Sequence, residues 1–228
     1  MSKSERKQKN NGFTMVELII TIAILAILAS VITLSIIRYL EKARESIDIN
    51  NAVLIRDALT AYTFPPDWQG RPMNYTDPET NQSETFMRGW VYVDRTEIRC
   101  SDQSTALALI YSGLVSVSAG FEQRLLDNEE ESTRWVPNGP DGDFIRFSGI
   151  GEYVFRNRMT VKARKSWNTY QLDVYVDDAG ELYLGASASN TLRTETHTKD
   201  EATAKLFSKN LGLDGSHITP IGEQFKGN

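Results

Sequence analysis

Cysteine is nearly absent: the 228-residue chain has one, Cys100. No intramolecular disulfide can close, and no cysteine-based zinc site can form. The chain must rest on its core and its hydrogen bonds, and Cys100 itself reads as a small buried residue. Histidine is almost as scarce. His197 and His217 sit in polar segments with no nucleophile at a recognisable spacing, so they read as exposed loop residues. There is no phosphate-cradling glycine loop and no dinucleotide fingerprint. These absences point away from an enzyme, and no cofactor is expected.

Positive charge is also thin once the first residues are passed. The net charge is −5. Residues 1–12 carry Lys3, Arg6, Lys7 and Lys9 against Glu5, a net of +3, which leaves −8 for the rest. No basic stripe interleaved with aromatics occurs downstream, and an acidic body argues against nucleic acid as a partner. A basic leader before an apolar segment keeps that end in the cytoplasm. Hydrophobic residues at 40% and charged residues at 24% describe an ordinary globular body. About 190 residues follow the apolar segment, enough for one domain with a real core.

Proline and glycine are missing from residues 13–37, which are almost wholly apolar. As a helix, this 25-residue run is about 37 Å long and crosses a hydrocarbon core of about 30 Å. It is too long for the core of a cleaved secretory signal, and its small-residue site at Ala26 and Ala29 lies inside the run. A plain single-span anchor accounts for the length but not for Glu17. A charged side chain deep in a bilayer costs roughly 2.5 kcal/mol or more, so Glu17 needs a cation. The hydroxyls of Thr14, Thr21, Thr33 and Ser35 need no outside partner, because they can bond back to helix carbonyls.

Gly-Phe-Thr-Met-Val-Glu-Leu-Ile at residues 12–19 resembles the leader-cleavage motif of type IV prepilins and the related pseudopilins. The resemblance implies that a membrane-embedded prepilin peptidase cuts between Gly12 and Phe13 and N-methylates Phe13. It places Glu17 at the family's characteristic glutamate, five residues into the processed chain. The chemistry agrees at each position. Gly12 lets the peptide lie flat in a protease cleft. Cleavage creates an amine at Phe13, and residues four apart share a helix face, so Glu17 can meet its own amine or that of a neighbouring subunit. Many pilins carry a helix-breaking glycine and proline in this half, and the present chain does not.

The helix is expected to continue. Tyr39, Leu40, Ala43, Ile47, Leu54, Ala58, Ala61 and Tyr62 form an apolar stripe at helical spacing, and Arg38, Glu41, Lys42, Arg44, Glu45, Asp48, Arg56 and Asp57 occupy the other face. Arg44 and Asp48 are an i,i+4 pair. Pro65 and Pro66 end the helix. Residues 64–103 are turn-rich, with a short strand over Gly89–Asp94; Gln103–Val117 and Phe121–Glu131 read as helices and Trp135–Gly142 as a loop. From Asp143 the period becomes two: Phe144–Phe147, Tyr153–Val161, Tyr170–Val176 and Glu181–Leu184 are strand candidates, the last two joined by a turn at Asp177–Gly180. Lys199–Leu211 reads as a helix with Ala202, Leu206 and Leu211 inward, stopped by Gly212, and Asp214–Asn228 as a loose tail. The fold expected is α+β and pilin-like: a long N-terminal helix packed on a small antiparallel sheet of three or four strands. The expected domains are a cleaved leader (1–12), a transmembrane and assembly helix (13–37), an amphipathic continuation (38–64) and an extracytoplasmic globular domain (65–228).

No metal is expected. Asp127–Glu131 is most simply a solvated acidic face. Because some pseudopilins of secretion systems hold calcium in a loop, Asp141 and Asp143 are the calcium candidates, though no EF-hand ligand pattern surrounds them. Asn74-Tyr-Thr76 and Asn81-Gln-Ser83 match a glycosylation sequon that is common by chance.

What the resemblance implies is a structural subunit of a type IV pilus-like filament. Its partners are the prepilin peptidase, other pilin subunits, the assembly platform with its ATPase, and membrane lipid before assembly. It begins as a single-pass protein of the cytoplasmic membrane with its N-terminus inside, and ends in a cell-surface pilus or pseudopilus. Two alternatives stand beside this. One is a pseudopilin of a type II secretion or DNA-uptake machine. The other is a membrane-anchored extracellular binding module that never polymerises.

Overall fold

The structure, a computed structural model, describes residues 13–65, 68, 70–76, 81–116, 136–138, 143–147, 153–156, 159–189, 201–213 and 219–220. Its contacts divide the chain into two compact units, Met1–Lys42 and Ala43–Asn228. Helix α1, Met15–Ala61, contributes to both.

In the first unit the helix is apolar on every side and exposed on every side. Its large side chains from Met15 to Ile37 all face outward, and its most apolar stretch has a mean hydropathy of 2.8. By length and composition this helix is long and apolar enough to cross a membrane. Four of its hydroxyls do bond back to carbonyls: Thr21 to Glu17 at 2.7 Å, Ser30 to Ile27 at 2.7 Å, Thr33 to Ala29 at 2.7 Å and Ser35 to Val31 at 3.5 Å. Each of these hydroxyls is thereby satisfied within the helix, as an apolar solvent requires.

In the second unit the remainder of α1 buries a face that matches the expected stripe only in part, at Ala58. Ala52, Ile55, Ala58 and Leu59 are buried, and so is Asp48, at 0% exposure. Ile47 and Leu54, expected inward, are 46% and 48% exposed. The buried stripe has the expected period but is rotated, keeping Ala58 and leaving Ile47 and Leu54 outside. The reason is Asp48, whose carboxylate accepts the amide N–H of Lys162 at 2.7 Å, that of Ala163 at 2.8 Å and the indole N–H of Trp167 at 2.9 Å. An acid that meets three donors can face inward, because its lone pairs are filled by N–H groups instead of water. It does not serve as the exposed i,i+4 partner expected of it. Through it α1 grips the irregular segment 159–168, where a strand was expected to run on to Val161.

The sheet is antiparallel throughout and larger than the three or four strands expected. Among the described residues nine strands pair in the order β4-β5-β6-β3-β2-β7-β8-β9, with β1 on the free stretch of β2. They are β1 Arg71–Thr76, β2 Ser83–Val93, β3 Ile98–Cys100, β4 Val136–Asn138, β5 Asp143–Phe147, β6 Tyr153–Arg156, β7 Thr169–Val176, β8 Leu182–Ser189 and β9 Thr219–Pro220. The expected loop at Trp135–Gly142 holds β4. The expected loose tail holds β9, which pairs with Tyr183 and Leu184. The helix expected at Phe121–Glu131 lies outside the described residues, as do His197 and His217. The β7–β8 hairpin turns where expected: Gly180 takes φ +83, and the Asp177 carboxylate accepts the Glu181 N–H at 2.7 Å.

One core cluster gathers Ile55 and Leu59 of α1, Val91 and Val93 of β2, Leu172 and Val174 of β7, Leu184 of β8 and the buried Cys100. Helix α2, Gln103–Tyr111, closes on it with Leu109; its start is a reciprocal capping box between Asp102 and Thr105. Helix α3, Glu201–Asn210, inserts Phe207, not the expected Leu206, which is exposed. Phe207 stacks on Tyr170 and meets Trp167 edge-on, both at 5.2 Å. Gly212 ends α3 at φ +77, and Arg56 donates to the Leu211 carbonyl at 2.6 Å.

Trp68 pins the chain after α1 to the sheet. Its indole N–H donates to Asp102 at 3.0 Å, and its ring edge lies against Gly70 and Gly89. A Cβ on Gly89 would sit 2.8 Å from Thr105 Cγ2 and 2.9 Å from the Trp68 ring. Gly89→Ala is therefore expected to destabilise the fold by about 1–3 kcal/mol through overpacking, read as a lower urea midpoint for the full chain in detergent.

Candidate assembly site

The N-terminal residues build a specific constellation at the start of α1. Thr14 stands just before the helix. Its backbone N–H donates to Glu17 Oε2 at 2.9 Å and its hydroxyl donates to the same oxygen at 2.8 Å. In return, the Glu17 N–H donates to the Thr14 hydroxyl oxygen at 3.2 Å. This is a capping box, in which two N–H groups that no helix carbonyl can reach are satisfied reciprocally. The carboxylate also sits at the positive end of the helix dipole.

Thr14 therefore does not bond back to a helix carbonyl as expected. The spacing Thr-x-x-Glu at 14–17 is itself the signature of such a box, and it was legible beside the cleavage motif. Glu17 is bound through one oxygen; among the described residues Oε1 accepts nothing. Phe13 is exposed and immediately precedes the capping threonine. A new amine at Phe13 would stand one peptide away from the N–H that Glu17 already holds. Gly12 lies outside the described residues.

Residues 7–33 match the model of the prokaryotic N-terminal methylation motif. The chain carries the signature of type IV pilins and pseudopilins. The motif and the apolar helix behind it fit a membrane-anchored, pilin-like protein, structural in type, and they imply processing by a prepilin peptidase and assembly with other pilins in general. The match ends at residue 33 and does not extend into the globular body. None of the curated proteins or solved structures compared with the chain matches it significantly.

Of the other candidates, Asp141 lies outside the described residues and Asp143 opens β5. Among the described residues no group of three or more metal-type ligands comes together.

Proposed function

We propose that this chain is a structural subunit of a type IV pilus-like filament. It is made as a precursor and held in the cytoplasmic membrane by residues 13–37, with its basic leader, residues 1–12, inside. Prepilin peptidase cuts between Gly12 and Phe13 and methylates the new N-terminus. The assembly platform and its ATPase then draw the subunit into a filament on the cell surface. There the exposed apolar side chains of α1 exchange lipid for the helices of other subunits, driven by packing and by charge pairing. Residues 38–64 carry the helix into the extracytoplasmic domain, residues 65–228.

The observation that carries this reading is the capping box. It fixes the Glu17 carboxylate at the helix start and leaves one oxygen open, beside the position where processing would create a cation. A plain anchor can use the box as a helix cap but has no use for an open carboxylate oxygen beside a new cation, and a buried carboxylate is tolerated only when paired.

Sequencing the N-terminus of the membrane-fraction protein tests it. The expected start is Phe13 bearing one added methyl group. An uncut Met1, or a start near Ser30, would overturn the reading in favour of an anchor or a secreted product.

A further inference from the structure

The second unit contains a cleft that the filament reading does not use. A cavity of about 450 Å³ lies between the end of α1 and the β7–β8 hairpin, floored in part by Met87 of β2. One wall is aromatic, made by Tyr62, Phe64 and Trp68. Tyr62 and Phe64 meet edge-to-face at 5.2 Å, and Phe64 and Trp68 lie tilted at 4.7 Å. Trp68 is further fixed by its bond to Asp102. The opposite wall brings Asp177 and Asp178 of the hairpin. Among the described residues, no lysine, arginine or histidine lines the cavity.

The two acids differ. Asp177 is tied into its turn, accepting from the Glu181 N–H at 2.7 Å and from the Tyr183 hydroxyl at 3.2 Å. Asp178 is exposed and takes no hydrogen bond or ion pair among the described residues. Ring faces attract cations through their quadrupole, and desolvation strengthens that attraction. A free carboxylate adds charge and wants N–H donors. A site with aromatic walls, uncompensated negative charge and an open acceptor selects for a cation that bears N–H groups on an apolar stem.

We propose that this cleft binds an alkylammonium group of the lysine side-chain class, with its stem against Phe64 and Trp68 and its ammonium on Asp178. The reading is independent of filament assembly and can fail without touching it.

Saturation-transfer NMR on the full chain in maltoside micelles tests this, with n-butylammonium, tetramethylammonium, 1-butanol and methyl glucoside as probes. Butylammonium is expected to bind saturably and better than tetramethylammonium, which has no N–H. Butanol and the glucoside should give no protein-dependent signal. Asp178→Asn, at a side chain with no structural bond, should weaken butylammonium on the order of tenfold. Phe64→Leu should weaken both cations together. A Gly-Lys-Gly peptide binding at least as tightly as butylammonium sustains the proposal and assigns the amine to a polypeptide; weaker peptide binding sustains it and assigns a small amine. The proposal is overturned by no saturable butylammonium binding, by equal binding of butanol or the glucoside, or by unchanged affinity in Asp178→Asn.

Discussion

Glu17→Ala should still be cut at Gly12 but should enter filaments at least roughly tenfold less well than the parent. The variant leaves the Phe13 amine without its counter-charge among apolar helices, at a cost of about 2.5 kcal/mol or more on insertion scales. It also strips the cap, since Thr14 loses the oxygen that accepts both its N–H and its hydroxyl. Loss of a cap costs only about 1 kcal/mol, so the charge should dominate. Glu17→Gln separates the two roles. Glutamine can accept from the Thr14 N–H, as capping boxes with glutamine do, but it carries no charge. If pairing with the amine drives assembly, Glu17→Gln should be nearly as defective as Glu17→Ala. Sheared filament yield, compared with processed protein left in the membrane, provides the readout. Wild-type yield from Glu17→Gln would leave the cap as the sole role of this residue.

The legible part of the chain is the part whose physics is local. An unbroken apolar run announces a membrane-crossing helix, and a lone acid at its start asks for a cation. The Asp177–Gly180 turn is equally local, because Gly180 at φ +83 and the Asp177 side chain supply the whole conformation. What escaped depends on partners distant in sequence. The charge of Asp48 argues for an outward position, yet its three donors lie at 162, 163 and 167, more than a hundred residues away. Strand β1 escaped because Pro72 argues against a strand, and it is tolerated there because β1 is paired on one side only among the described residues. Strands β3, β4 and β9 are two or three residues long, too short to display a period. The Thr14–Glu17 box is the opposite case. It is local and readable from the Thr-x-x-Glu spacing, in the same residues that carry the cleavage motif.

Asp48→Ala should be the most damaging single change in the second unit. It removes the acceptor of three donors at once, the part-buried N–H of Lys162 and the buried N–H groups of Ala163 and Trp167. Each orphaned group costs about 1–3 kcal/mol, so a loss of about 3 kcal/mol or more is expected. Asp48→Asn should fall between, because its carbonyl oxygen still accepts while its NH₂ opposes a donor. The pH dependence gives an independent check. Burial raises the Asp48 carboxyl above its ordinary value of 3.8, and the amides of Ala163 and Lys162, the Trp167 indole and the Lys162 charge offset only part of that rise. Between 3.8 and the higher native value, the folded chain keeps a proton that the unfolded chain has lost. Stability from this group is then fully present below 3.8 and declines as pH climbs through the native value. Urea midpoints of parent and Asp48→Asn, measured across that window, should show the parent losing stability relative to the variant as pH rises. A parent that gains on Asp48→Asn over the same interval would mean that the three donors outweigh burial and hold the carboxyl below its ordinary value. A midpoint for Asp48→Ala within about 0.5 kcal/mol of the parent, the scale of a typical surface change, would mean that segment 159–168 is held by its apolar contacts and not by the carboxylate.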